Sequence, residues 1–227
     1  MNKVPVVAID GPVGSGKGTI ARKVARSLGW HLLDSGALYR LVGLAAVKRG
    51  LAEAGEEALG TLAVELSVRF ESDQSGNERI FLDDEDVTDD VRTEECGRMA
   101  SFVASLAEVR AALLDLQKGF RNEPGLVADG RDMGSTVFPD AVLKVYLTAS
   151  AEERAKRRHK QLKDKGIDVS LPALSRDIED RDRRDSERTV APLKPAEDAR
   201  LLDSSGQSID EVTQTVLDWV ADLDERN

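Results

Sequence analysis

A single cysteine, Cys96, in 227 residues excludes an intrachain disulfide and any structural zinc site built from several thiolates. Long apolar runs are missing too. The run Val6-Val7-Ala8-Ile9, close behind Met1-Asn2-Lys3-Val4-Pro5, is too short for a signal peptide or a membrane span. A reducing, cytoplasmic setting with no membrane partner is therefore expected. Positive charge is scarce: 32 Lys and Arg stand against 42 Asp and Glu, a formal charge of −10. Such a surface repels a phosphate backbone and argues against nucleic acid as a partner, while leaving room for a small anion wherever arginines gather. Repeats, low-complexity tracts and an evident linker are likewise absent. With 41% hydrophobic and 33% charged residues, the chain reads as one globular core with excursions.

Against these absences one segment stands out, Gly11-Pro12-Val13-Gly14-Ser15-Gly16-Lys17-Gly18-Thr19, directly after the apolar run. Glycines let backbone N–H groups converge on phosphate oxygens with no Cβ in the way, and Lys17 reaches the terminal phosphates. A helix opening at about Lys17 adds the positive end of its dipole. The pattern departs from the usual one at a single place, where Gly18 intervenes between the lysine and Thr19. Strand, loop and helix in that order point to a nucleoside triphosphate as ligand.

The rest of the chain alternates. Val6–Ile9 reads as a strand buried on both faces, and Thr19 to Leu28 as a helix with Ile20, Val24 and Leu28 on one side, stopped by Gly29. His31–Asp34 reads as a second strand and Ser35 to Arg49 as a second helix, ended by Gly50. Leu126–Ala128, Val142–Leu147 and Arg200–Asp203 are further strands, and a helix capped by Ser208 carries Ile209, Val212, Val216, Trp219 and Val220. This rhythm predicts an α/β fold, a doubly wound parallel sheet with helices on both faces. Two stretches break it. Val68–Glu71 and Arg79–Leu82 flank the turn-prone Ser75-Gly76-Asn77, predicting a small antiparallel insert within residues 62–91. From Ala151 to about Arg188 the chain is charged and helical, interrupted by Gly166 and Pro172.

Polar groups collect where strands end, the edge at which open α/β sheets bind ligands. Leu33-Asp34-Ser35-Gly36-Ala37-Leu38-Tyr39-Arg40 offers a helix start and a guanidinium fork for an anion, or else a plain cap and a surface arginine. Leu126-Val127-Ala128-Asp129-Gly130-Arg131-Asp132 brings a carboxylate of the kind that organises Mg²⁺ beside a phosphate loop, although Arg131 and Asp132 also fit a surface ion pair. Between Arg176 and Arg188, Arg181, Asp185 and Arg188 share one helical face. A solvated helix laced with its own salt bridges would look the same. Arg154, Arg157 and Arg158 form a similar stripe.

Together, the segments Gly11-Pro12, Ser15-Gly16-Lys17-Gly18-Thr19, Leu33 to Arg40, Ala128-Asp129-Gly130-Arg131-Asp132-Met133-Gly134, and Arg188 with Val190-Ala191-Pro192-Leu193 resemble the bacterial cytidylate kinases, over essentially the whole chain. The resemblance implies a P-loop kinase that moves the γ-phosphate of ATP to CMP or dCMP with Mg²⁺, and it accounts for Gly18, which related monophosphate kinases share. It implies a core of residues 1–61, 92–153 and 171–227, a monophosphate-binding insert at 62–91 and a helical lid at 154–170. It assigns Gly11 through Thr19 to ATP, and Ser35, Arg40 and Arg131 to the CMP phosphate. Ser101, Arg110 and Asp132 would read cytosine, Arg181 and Asp185 hold the ribose, and Arg188 bridge the phosphates. Lys17 and the lid arginines Arg154, Arg157 and Arg158 would stabilise the transferring group. Thr19 and then Asp129 are the candidate Mg²⁺ ligands, directly or through water, and a monomer is expected.

Other classes fit less well. A small GTPase needs an Asn-Lys-x-Asp segment, and none occurs. A small-metabolite kinase would not carry the cytosine-reading set, and a non-catalytic nucleotide regulator would not be expected to keep Lys17 and every arginine. Adenylate kinase is the nearest rival.

Overall fold

The computed structural model describes residues 3–72, 78–164, 166 and 168–224. The chain divides into two compact units, Met1–Asp34 with Lys118–Asn227, and Ser35–Gln117.

The first unit is built on five parallel strands: β1 (Val6–Asp10), β2 (His31–Asp34), then beyond the second unit β6 (Leu126–Gly130), β7 (Leu143–Thr148) and β8 (Arg200–Asp203). Their order is β2-β6-β1-β7-β8. β1 is central and buried along its whole length, which is why its sequence is apolar without alternation. Val7 and Ile9 face a cluster with Val127, Val145 and Leu147 of the sheet, Ile20 and Val24 of α1 (Lys17–Leu28), and Val212, Val216 and Val220 of α8 (Ile209–Asp224). α1 ends at Gly29, whose left-handed backbone (φ 66°) returns its N–H to the last turn. Ser208 does cap α8: its Oγ accepts the Glu211 N–H at 3.2 Å, while Glu211 accepts the Ser208 N–H at 2.8 Å. The charged stretch forms α6 (Ala151–Asp164) and α7 (Leu171–Glu187), separated by Gly166 in a left-handed turn, with Pro172 in the first turn of α7, where a missing N–H costs nothing.

The second unit holds α2 (Ser35–Lys48), α3 (Glu56–Glu65), α4 (Glu94–Val103), α5 (Ala107–Gly119, which runs on past the unit's end) and a small antiparallel sheet. That sheet pairs β3 (Val68–Ser72) with β4 (Glu78–Leu82), Phe70 opposite Ile80, and adds a short third strand, β5 (Glu85–Asp86). Ile80 and Leu82 turn inward, while Arg69 stacks over the Phe81 ring at 4.6 Å on the other side. The expected turn at Ser75-Gly76-Asn77 lies outside the described residues. Among the described residues no helix is long and apolar enough to cross a membrane.

Candidate active site

Strand register decides what stands at the carboxyl edge of the five-stranded sheet. Asp129 pairs with Ile9 on one side and Asp34 on the other, so these two carboxylates share the face that Ile9 turns toward α1. Asp10 comes one residue later in β1 and pairs with Gly130 and Tyr146, so it points to the opposite face. The loop Gly11–Thr19 leaves between them.

On the α1 face, Gly16 closes the loop in a left-handed conformation (φ 90°) that side chains rarely adopt. Lys17 folds back to donate to the Pro12 carbonyl at 3.2 Å. Burial pushes the Lys17 ammonium below its usual value and Arg131 adds to this, while Asp129 and Asp34 pull it back. Burial likewise pushes the Asp129 carboxyl up, against the opposing pull of Lys17. A Cβ on Gly18 would lie 3.1 Å from Asp129 Oδ2, so the glycine that breaks the usual pattern leaves room for this carboxylate. The other oxygen, Oδ1, is buried with no hydrogen-bond partner. Such an orphaned oxygen suits a hard divalent cation. Thr19 stands exposed in the first turn of α1. No group of three or more His, Cys, Asp or Glu among the described residues could hold a metal by itself. A cation here would take the rest of its shell from water and phosphate oxygens, as Mg²⁺ does.

On the opposite face, Asp10 accepts the backbone N–H groups of Met133 at 2.8 Å and Gly134 at 2.9 Å. Burial pushes its carboxyl up to about 6, against the pull of these two bonds. The sequence reading passed over Asp10, although a carboxylate closing a wholly apolar strand signals a buried acceptor with work to do. Asp132 is buried at the head of a π-helical turn, Met133–Val137. Arg131 does not form a surface pair with its neighbour. Its Nε donates to Asp185 of α7 at 3.1 Å and its Nη1 to the Gly130 carbonyl at 3.2 Å.

Asp185 is itself buried, which raises its carboxyl, yet Arg131, Arg188 and Arg181 together hold it below the usual carboxylate range. The Leu193 N–H donates to the Asp185 carbonyl at 2.7 Å, tying the Val190–Leu193 segment to the same helix. The charged run therefore has two characters. Arg183 and Arg184 bond to Asp180 on an exposed flank, a solvated ladder, while Arg181, Asp185 and Arg188 gather with Arg131.

The α6 arginines differ among themselves. Arg154 is buried and fully engaged: Nε donates to the Ala149 carbonyl at 3.0 Å, Nη1 to the Val13 carbonyl at 3.0 Å, and both terminal nitrogens to Asp182 of α7. Arg157 donates to the Ser15 carbonyl at 3.2 Å and to Ser204 beyond β8, at 3.0 Å to its hydroxyl and 2.6 Å to its carbonyl. Arg158 bonds to Gln161 at 2.5 Å.

Four expected acceptor residues belong to the second unit. Ser35 is buried at the start of α2, where its Oγ accepts from Gln117 Nε2 at 3.0 Å. Arg40 donates to the Val91 carbonyl at 2.7 Å and the Thr93 carbonyl at 3.2 Å. Ser101 is buried in α4, and Arg110 of α5 lies 5.8 Å over the Tyr39 ring. Gln117 escaped the sequence reading, since nothing local marks a glutamine of an amphipathic helix as buried.

The cytidylate kinase family model matches residues 7–222. A cytidylate kinase of Pseudomonas paraeruginosa is 60% identical over 215 residues, 94% of each chain. One of Nitrosococcus oceani is 56% identical over 220 residues, 96% of this chain and 97% of that one. A crystal structure of an uncharacterized protein from Eubacterium ventriosum superposes with a TM-score of 0.54 at 11% identity, covering 97% of this chain and 99% of that one, a likeness of fold alone. With close relatives along nearly its whole length, the chain belongs to the cytidylate kinase family.

Proposed function

We propose that the chain transfers the γ-phosphoryl group of ATP to CMP and dCMP, giving ADP with CDP or dCDP, by direct in-line displacement without a phosphoenzyme. The observation that carries this reading is the placement of the phosphate loop and the Arg131–Asp132 segment at the ends of the adjacent parallel strands β1 and β6.

An oxygen of the CMP phosphate is ionised at neutral pH, so the acceptor needs no general base, and positioning with charge stabilisation supplies the catalysis. Lys17 and the amides of Gly11–Thr19 hold the donor phosphates. Asp129 and Thr19 would hold Mg²⁺, directly or through water, and the ion when bound neutralises charge on the donor phosphates. Ser35, Arg40 and Arg131 hold the acceptor phosphate, Arg181 and Asp185 the ribose, and Arg188 the bridge between the phosphates. Arg157 and Arg158 close over the transferring group as part of a lid at 154–170, while Arg154, whose guanidinium is taken up by Ala149, Val13 and Asp182, sets the position of the stripe. Closure excludes water, which would otherwise accept the phosphoryl group.

Asp132, Arg110 and Ser101 read the base. Cytosine presents an exocyclic amino donor beside acceptors, complementary to a carboxylate and a guanidinium. Uracil turns a carbonyl toward Asp132, and a buried polar group left unpaired discriminates strongly. Residues 62–91 enlarge the monophosphate-binding region. The enzyme works in the cytoplasm as a monomer.

The test is ADP formation from Mg·ATP with CMP, dCMP, UMP and AMP offered separately. Fast turnover of the two cytosine nucleotides with far slower turnover of UMP supports the assignment. Preference for AMP, or turnover with no monophosphate, overturns it.

A further inference from the structure

Asp10 is a buried charged group that this mechanism leaves without a role. Each of its oxygens takes one N–H, from Met133 and from Gly134. These are first-turn donors of the π turn, which the turn itself cannot satisfy. The turn's own bonds start at Asp132, whose carbonyl accepts the N–H groups of Thr136 at 2.9 Å and Val137 at 3.2 Å. Asp10 therefore caps the turn headed by Asp132, from another strand and 123 residues away in sequence. The turn is held from other sides as well. A Cβ on Gly134 would come within 3.1 Å of the Lys144 stem, and Met133 is fully buried, packed close to Gly130. Gly11, the first residue of the phosphate loop, follows Asp10 directly.

We propose that Asp10 is a positioning residue for the acceptor nucleotide: its carboxylate fixes the turn that presents Arg131 and Asp132, in register with the donor loop that starts one residue later. The inference rests on the base-reading role given to Asp132 above. A carboxylate is required because both turn groups are donors. An asparagine of the same shape would turn an NH₂ toward one of them, so Asp10→Asn removes a single bond with little change of volume. Small displacements of a recognising group carry large kinetic penalties.

The experiment compares wild type, Asp10→Asn, Asp132→Asn and the double variant. It measures kcat and KM for CMP and UMP at saturating Mg·ATP, KM for ATP at saturating CMP, and thermal melting. Asp10→Asn is expected to reduce the preference for CMP over UMP by about tenfold or more, mainly through KM for CMP, with KM for ATP within about twofold of wild type. The double variant should lose no more preference than Asp132→Asn alone, because the two changes act through one group. An unchanged preference in Asp10→Asn, equal rises in both KM values, or a double variant whose loss is the product of the single losses would each overturn the proposal and leave the role of Asp132 standing. An Asp132→Asn enzyme that keeps its preference overturns that role and this proposal together. Should Asp10→Asn not fold, Gly134→Ala presses the same turn against Lys144, and the same selective loss is expected. An unchanged preference there overturns the proposal.

Discussion

Two buried carboxylates, Asp10 and Asp129, sit on opposite faces of adjacent strands, and burial raises both above the ordinary carboxylate range. Asp10 titrates at about 6 in the folded chain, above the 3.8 of an ordinary aspartate. The raised value sets the sign: between these two values the folded chain holds a proton that the unfolded chain has lost. The stability from this site is complete below about pH 4 and is lost as pH rises through 6, about 3 kcal/mol by neutrality. Urea unfolding of wild type and Asp10→Asn from pH 4 to 7 should show the wild-type stability falling relative to the variant by that order across the window. A flat difference would remove the titration from Asp10. At Asp129 the expected outcome is a trade. Asp129→Asn should raise the Mg²⁺ concentration for half-maximal rate by about 10–100-fold, the range seen when groups tuning a metal are removed. Because a buried charge that desolvation penalises is removed, its melting temperature should not fall. A lowered melting temperature with an unchanged Mg²⁺ requirement would make Asp129 a purely structural residue.

Among the elements, α6 and α7 show how a charged stretch divides into site and scaffold. Arg154 bridges the two helices through Asp182 and holds the Val13 carbonyl of the phosphate loop. Lysine cannot reproduce a planar fork with that many directions. Arg154→Lys keeps the charge but leaves the Ala149 and Val13 carbonyls without their donor, so it should destabilise the chain by about 1–3 kcal/mol and raise KM for ATP more than KM for CMP. An unchanged KM for ATP would separate the clasp from the loop's function. How much of this was legible in the sequence follows the range of the interactions. Val6–Ile9 could be read because a strand paired on both sides must be apolar throughout, and α8 because Ser208 and Glu211 cap it within four residues. Strand ends were blurred by a residue or two. β7 begins at Leu143 rather than Val142, and β6 runs on to Gly130, because parallel pairing and not side-chain pattern sets where the ladder stops. The phosphate loop announced itself through glycine spacing. The partner of Arg131 did not, since Asp185 lies 54 residues away and only the fold joins them. Asp10 and Gln117 were missed for the same reason, their meaning residing in Met133, Gly134 and Ser35. Gly18, a departure from the usual loop pattern that the resemblance to monophosphate kinases accounts for, gains its physical reason in Asp129, whose carboxylate oxygen needs the space.

At the scale of the whole molecule, one unit is continuous in sequence and the other is not. Ser35–Gln117 is a single stretch, whereas the five-stranded sheet takes β1 and β2 from the chain before it and its other three strands from Leu126 onward. Among the described residues β1 pairs with β6 and β7 alone, so the strand that leads into the phosphate loop waits for roughly 115 residues of chain before either neighbour exists, a closure whose entropy cost rises with that length. During synthesis the middle of the chain can therefore acquire its helices first, while the apolar β1 stays exposed until the later strands emerge from the ribosome. Pulse-labelled hydrogen exchange during refolding should protect amides of α2 and α4 before those of β1 and β6, and simultaneous protection would make assembly one concerted event. If the order holds, nucleotide binding is the last property the nascent chain acquires, and a product truncated before Leu126 leaves its phosphate-loop sequence attached to an unpaired strand, prone to aggregate rather than to bind.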